Sequence, residues 1–331
     1  MIPTPVRWLL WSVVVCGIII AITTGGLWTW RAHVLESPGP HTEDVLFVVE
    51  AGNGHATLRY RLKSAGVIHQ TYHYDAARIM AGDQFVPKAG EYLLPASSSL
   101  KIVMDILHSG RSFQRRITVV EGLRSSEVVA QIAAMDILIG DIKTIPEEGS
   151  LLPETYFFTY NTKRSALIAR MQDVMAITLA EAWASRADGL PYNRMEDALI
   201  MASIIEKESS KASERRLVAA VLVNRLKKGM RLQSDPTVVY DTDPKISMSR
   251  VITKSDLKRK TAWNTYVIKA LPKTPIANPG RDSILAALNP AKSDYLYFVS
   301  DGKGGLRFAK TLDAHNRNVR LFRQFQRAAK Q

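Results

Sequence analysis

Cysteine is almost absent: Cys16 is the single one in 331 residues. No internal disulfide can form and no cysteine metal centre can be built, so thiol usage leaves the redox compartment open. Zinc-finger spacing, an aromatic RNP segment and a glycine-rich phosphate loop are also missing. The 44 Lys and Arg against 31 Asp and Glu give a net charge of +13. These cations are scattered, and without an accompanying motif they do not make a nucleic-acid interface. No metal or cofactor is expected.

Charge is missing altogether from residues 8–30, WLLWSVVVCGIIIAITTGGLWTW, which carry Trp at both ends. That fits the ~20 apolar residues and interfacial aromatics of one membrane-spanning helix. The run exceeds the ~7–15 residues of a signal-peptide core, and no small-x-small site precedes Arg31. Cys16 follows three valines inside the run, which argues against lipoprotein cleavage there. A retained anchor is expected, with residues 1–7 as a cytoplasmic tail and the body outside. Arg7 and Arg31 are the only charges through residue 35, so +11 remains on the rest. Such a surface favours an anionic partner, either lipid headgroups or an acidic wall polymer.

The hydrophobic share, 46%, supports a sizeable core and two or three folding units at roughly 100–200 residues each. Residues 31–44, ending in ESPGPHTED, read as a linker. From 45 to 112 the pattern predicts strand, helix, helix, strand, helix, with Ser97–Ser99 offering an N-cap to the last helix. A further strand–helix pair follows at RITVVEGLRSSEVVAQIAAM, with Ser125 or Ser126 as its N-cap. Composition breaks at the turn-rich, then aromatic PEEGSLLPETYFFTY (146–160), and a long helix is expected near 165–187.

The stretch MASIIEKESS (201–210) carries the main chemical signal. At 100° per residue, Glu206 lies within about 40° of Met195, Leu199 and Ala202 and continues their apolar stripe. A carboxyl there is partly desolvated, which raises its pKa at ~1.4 kcal/mol per unit and lets it keep a proton near neutrality. Periodicity alone also fits a helix end emerging into water, with Glu206-Lys207-Glu208 as a solvated turn. Glu208 projects some 200° round from Glu206, so the two are not a paired-carboxylate site. Ser213 is a candidate N-cap for a second helix, and Gly229 its left-handed terminator, giving a helical hairpin. MRLQSDPTVVY then alternates like a strand before turning at Asp235-Pro236, which would deliver Gln233 and Asp235 near a helix end. For Asp235 plain turn chemistry explains the residue equally well.

ASIIEKES, NRLKKGMRLQSDPTVVY and AWNTYVIKALPKTPIANPGRDSILAALNPAKSDYLYFVSDGKGG together resemble the YceG-like family of endolytic murein transglycosylases, over about residues 45–320. The resemblance implies an α+β protein. It would have one N-terminal transmembrane helix, a LysM-like module at 45–112, and a mixed α/β catalytic domain at 113–331 built around the helical hairpin. It also implies an inner-membrane, single-pass protein with a periplasmic body acting on peptidoglycan glycan strands, with association to a class A penicillin-binding synthase. The family's general acid falls on Glu206. Gln233, Asp235, Asn264, Tyr266 and Asn278 fall in segments that line its cleft. For Asn264 and Tyr266 a scaffold role weighs equally. Glu154 stands where the family usually has aspartate, and Leu306 where it often has histidine, so Leu306 receives no role. Pro275 and His315-Asn316 persist.

Hydrolysis of a β-1,4 glycosidic bond ordinarily needs a proton donor and a second carboxylate. The sequence places no such partner beside Glu206. In a lytic transglycosylase the sugar's own 6-hydroxyl attacks, so one glutamate suffices as acid and then base, leaving a 1,6-anhydro-muramyl end. A non-catalytic, membrane-anchored wall-binding scaffold and a peptidoglycan hydrolase are the competing readings.

Overall fold

A computed structural model describes residues 4–82, 85–209, 211–241 and 252–328. Residues 1–3 of the expected cytoplasmic tail lie outside the described residues. The chain divides into two compact units, Met1–Arg115 and Arg116–Gln331.

The first unit begins with α1 (Thr4–Glu36). Its stretch Trp8–Glu36 is long and apolar enough to cross a membrane, and Trp8, Trp11, Ile18, Ile22 and Trp28 are all exposed. Thirty-three residues at ~1.5 Å each span about 50 Å, more than a ~30 Å hydrocarbon layer. The surplus is used: the helix continues past Trp30, and Val34 is buried among the apolar residues of this unit. The expected linker is therefore helical at its start. Further on, His41 is buried, with Nε2 at 2.8 Å from the Pro95 carbonyl and 3.1 Å from Ser98 Oγ.

The predicted element order is found here as β1 (Val45–Val49), α2 (His55–Ser64), α3 (Thr71–Ala81), β2 (Gly90–Leu94) and α4 (Leu100–Ser109). β1 and β2 pair antiparallel, Val45 opposite Leu94 and Val49 opposite Gly90. Phe47, Leu58, Leu62, Tyr74, Tyr92 and Leu107 fill the space between the pair and the helices. Ser99 caps α4 by accepting from the Ile102 amide, and Gly110, at φ 71°, closes it.

The second unit holds the remaining chemistry. β3 (Arg115–Thr118), which starts on the last residue of the first unit, pairs with β4 (Thr155–Phe158), and α5 (Ser125–Ala133) packs with them. The cap of α5 is Arg124, whose amide donates to the Glu127 carboxylate at 2.7 Å. Ser125 is already helical, and its hydroxyl donates to the Glu147 carbonyl. The serine cap expected from the sequence is thus displaced because a carboxylate three residues on meets the free amide better.

α6 (Arg164–Ala184), α7 (Met195–Glu208), α8 (Ala212–Lys227) and α11 (Arg281–Leu288) enclose a second apolar cluster around Met201, Ile204, Ile205, Val218, Leu222 and Ile284. α8 starts at Ala212 with Lys211 in the cap position, so Ser213 lies one residue inside the helix and is not its cap. Gly229 adopts φ 63° beyond the helix end, as expected.

The strand expected at 230–233 is not formed. Arg225 donates to the carbonyls of Arg231 (3.2 Å) and Leu232 (2.8 Å), satisfying acceptors that a ladder would otherwise take. Gln233 then turns left-handed at φ 55°, which a strand does not admit. The short helices α9 (Asp235–Tyr240) and α10 (Lys254–Lys258) follow, and the chain closes with the β5 (Tyr297–Ser300)–β6 (Leu306–Ala309) antiparallel pair and α12 (Leu312–Ala328).

Candidate active site

The charged run at the end of α7 is not a solvated turn. The Glu206 side chain is only 5% exposed, Lys207 Nζ donates to the Gly122 carbonyl at 3.1 Å, and Glu208 accepts from Ser234 Oγ at 2.5 Å. Each residue serves a different neighbour, as the 3.6-residue period requires of consecutive positions.

Glu206 is bound from two helices. One oxygen accepts from the Gly280 amide at 2.9 Å, at the N-cap of α11, so the positive end of that helix faces the carboxyl. The other accepts from Arg215 Nη2 at 3.0 Å; Arg215, in the first turn of α8, is itself 9% exposed. Fully buried Ser283 lies on the same side, its hydroxyl making no hydrogen bond of normal geometry. Burial raises the Glu206 pKa. Gly280, Ser283 and Arg215 oppose that rise, and the Glu121 charge adds to it. The net direction is upward, since desolvation acts on the whole charge while Arg215 is shared with other anions.

Those anions were not foreseen. The Glu121 carboxylate accepts from the same Nη2 at 2.7 Å, and Asp282 stands 3.4 Å from Nη1. Contrary to the sequence expectation, a second carboxylate therefore does stand beside Glu206. Glu121 lies 85 positions earlier in the chain, so no local pattern brings it near. Its turn is pinned by Asn278: the Gly122 amide donates to the Asn278 carbonyl at 2.9 Å, and the Asn278 amide donates to the Leu123 carbonyl at 2.8 Å. Gly280 leaves room for the Glu121 carboxylate, which an added Cβ at 280 would push aside.

The remaining candidates fall into two groups. Asn278 and Asn264 are buried braces. Asn278 Oδ1 accepts from the Leu151 amide and its Nδ2 donates to the Leu123 carbonyl. Asn264 Nδ2 donates to the carbonyls of Asp256 and Arg259, and its Oδ1 accepts from the Tyr266 amide. Gln233, Asp235 and Tyr266 instead come together. Tyr266 Oη donates to Asp235 Oδ1 at 2.6 Å, the Gln233 amide donates to the Thr265 carbonyl, and Gln233 Oε1 accepts from Arg225. Burial and Asp235 push the Tyr266 phenol pKa upward.

Glu208 ties this second group to α7 through Ser234, and its pKa is raised to about 7 by burial. Glu154 is exposed, and the Leu306 amide donates to Glu214. Among the described residues no cluster of three or more His, Cys, Asp or Glu could hold a metal ion.

The family match and the curated relatives agree. A family model described as the YceG-like family matches residues 47–321. The chain belongs to the YceG-like family. The endolytic murein transglycosylase of Bacillus subtilis (strain 168) is 33% identical over 264 residues, covering 70% of this chain and 71% of that protein. The endolytic murein transglycosylase of Streptococcus pneumoniae (strain D39) is 33% identical over 177 residues, which is 52% of this chain but only 31% of its own length. A crystal structure of a yceG-like protein from Listeria monocytogenes aligns over 83% of this chain and 99% of its own, at 28% identity and a TM-score of 0.49. The match to the family spans both units, and Glu121, Glu206, Arg215 and Gly280 all lie inside it.

Proposed function

We propose that this protein is a membrane-anchored endolytic lytic transglycosylase that cuts the MurNAc-β-1,4-GlcNAc bond of nascent peptidoglycan strands and leaves 1,6-anhydro-MurNAc ends. The observation that carries this reading is Glu206: a carboxyl buried enough to hold a proton, yet faced by Arg215 and the Gly280 amide, which stabilise the anion once the proton leaves. Glu206 gives its proton to the glycosidic oxygen as the bond to C1 breaks. The muramyl 6-hydroxyl then attacks C1, and its proton returns to Glu206. Net consumption of water is zero, and one carboxyl is regenerated in each turnover. The relatives named as endolytic murein transglycosylases support this chemistry.

The presence of Glu121 favours one second reading. A hydrolase needs two carboxylates, and Glu121 supplies the other. Digestion of uncrosslinked glycan strands followed by mass spectrometry separates the two: anhydro ends are expected, and reducing ends alone would establish hydrolysis. Glu206→Gln, which keeps shape and removes the proton donor, is expected to lower turnover at least a hundredfold. Wild-type rates in that variant would remove Glu206 as the acid, and no cleavage by either the wild-type chain or the variant would leave only the wall-binding scaffold.

The further parts of the reading are a LysM-like role for the first unit in holding glycan, and single-pass anchoring in the inner membrane with a cytoplasmic N-terminus. α1 is consistent with such an anchor. It would keep the site near newly polymerised strands, where cutting ends their growth. Association with a class A penicillin-binding synthase belongs to the same reading, and in-cell cross-linking that recovers no synthase would remove it.

A further inference from the structure

Arg215 holds two carboxylates on a single nitrogen, Glu121 at 2.7 Å and Glu206 at 3.0 Å. A buried guanidinium facing Glu206 alone would fix it as the anion, which is the wrong state for a proton donor. We propose that Glu121 is a positioning residue for the acid: by taking the charge of Arg215 in the resting site, it leaves the proton on Glu206, and it releases that charge to Glu206 when the proton is given away. This inference rests on the assignment of Glu206 as the acid.

The geometry is built for such sharing. The Glu121 side chain is 42% exposed while Arg215 and Glu206 are almost sealed, so the shared cation lies between a wet and a dry carboxylate. The wet one keeps its contact with solvent as well as its 2.7 Å hold on Arg215. The turn carrying Glu121 is fixed to the 278–280 segment by the paired Asn278 bonds, and that segment also supplies the Gly280 amide to Glu206. Both carboxylates are therefore referenced to one piece of backbone. The other charges are accounted for: Asp282 on α11 reaches only Nη1 of Arg215, and Lys207 Nζ donates to the Gly122 carbonyl.

The test is the pH profile of kcat/KM on uncrosslinked glycan strands with the full chain in detergent. An acid that must be protonated sets the alkaline limb, where activity falls as pH rises through its pKa. Glu121→Gln frees Arg215 for Glu206, lowers the pKa of the acid and moves that limb down by about one pH unit. Arg215→Met moves it up.

A Glu121→Gln enzyme that is slower with an unmoved limb makes Glu121 merely structural and overturns the proposal. If that variant fails to fold, the carboxyl carbon resonance of Glu206 in the wild-type chain reads the same coupling. Two inflections support the sharing, and one inflection overturns it. Full activity in Glu206→Gln would instead remove the parent assignment, so the two failures are distinguishable.

Discussion

Glu208 offers the most quantitative check on the electrostatics of α7. Its carboxyl is drawn into the second unit with one Ser234 hydroxyl as hydrogen-bond donor, and burial raises its pKa from 4.5 to about 7. The folded state thus binds this proton more tightly than the unfolded chain does. The stability it contributes is complete below the unfolded value of 4.5 and is lost as pH rises through about 7. At ~1.4 kcal/mol per unit the loss is at most about 3.5 kcal/mol, and less to the extent that Arg225 and water reach the anion.

Glu208→Gln keeps an oxygen for Ser234 and cannot ionise. Relative to wild type, the variant should gain about 2–3 kcal/mol of unfolding free energy between pH 5 and pH 8. Urea titrations followed by near-ultraviolet circular dichroism at several pH values measure this directly. A difference that stays flat across that range would show that Glu208 is not desolvated, and the argument that burial dominates at this helix end would fail for Glu206 as well.

Asn278→Ala strands the Leu151 amide in the interior and takes one of two donors from the Leu123 carbonyl, which keeps the backbone amide of residue 278. It should cost about 2–4 kcal/mol in chemical unfolding. Glycan cleavage should fall further than the stability loss explains, because the Glu121 turn loses the side-chain part of its brace and keeps only the two backbone bonds to residue 278. Tyr266→Phe removes only the hydroxyl donated to Asp235, so a stability loss of about 1 kcal/mol is expected. If this pair contacts the sugar, KM rises with kcat little changed; a loss confined to kcat would place Tyr266 nearer the reacting bond.

The sequence reveals the apolar, uncharged run as a helix, because some twenty residues without charge have no other stable form in a bilayer. It also reveals the β1-α2-α3-β2-α4 order and the termination of α8 at Gly229, all governed by neighbours a few positions apart. Glu206 is legible for the same reason: helical period alone carries it onto the stripe of Met195, Leu199 and Ala202.

What lies beyond a few residues is not legible in this way. The serine caps proposed for α5 and α8 give way to Arg124 and Lys211, and the strand before Asp235 is replaced by a loop whose carbonyls Arg225 claims from the preceding helix. The choice between competing donors and acceptors depends on which ones packing brings within reach.

The amino-acid order by itself determined the succession of helices and strands in the first unit and which face of α7 carries a carboxyl, since both follow from local steric preference and periodicity. Only the tertiary structure decided the company that carboxyl keeps. Glu121, Arg215 and Gly280 come from a turn, a helix start and a cap spread over 160 positions, and the strength of a buried charge's interactions depends on distances of a few ångströms that no spacing along the chain encodes.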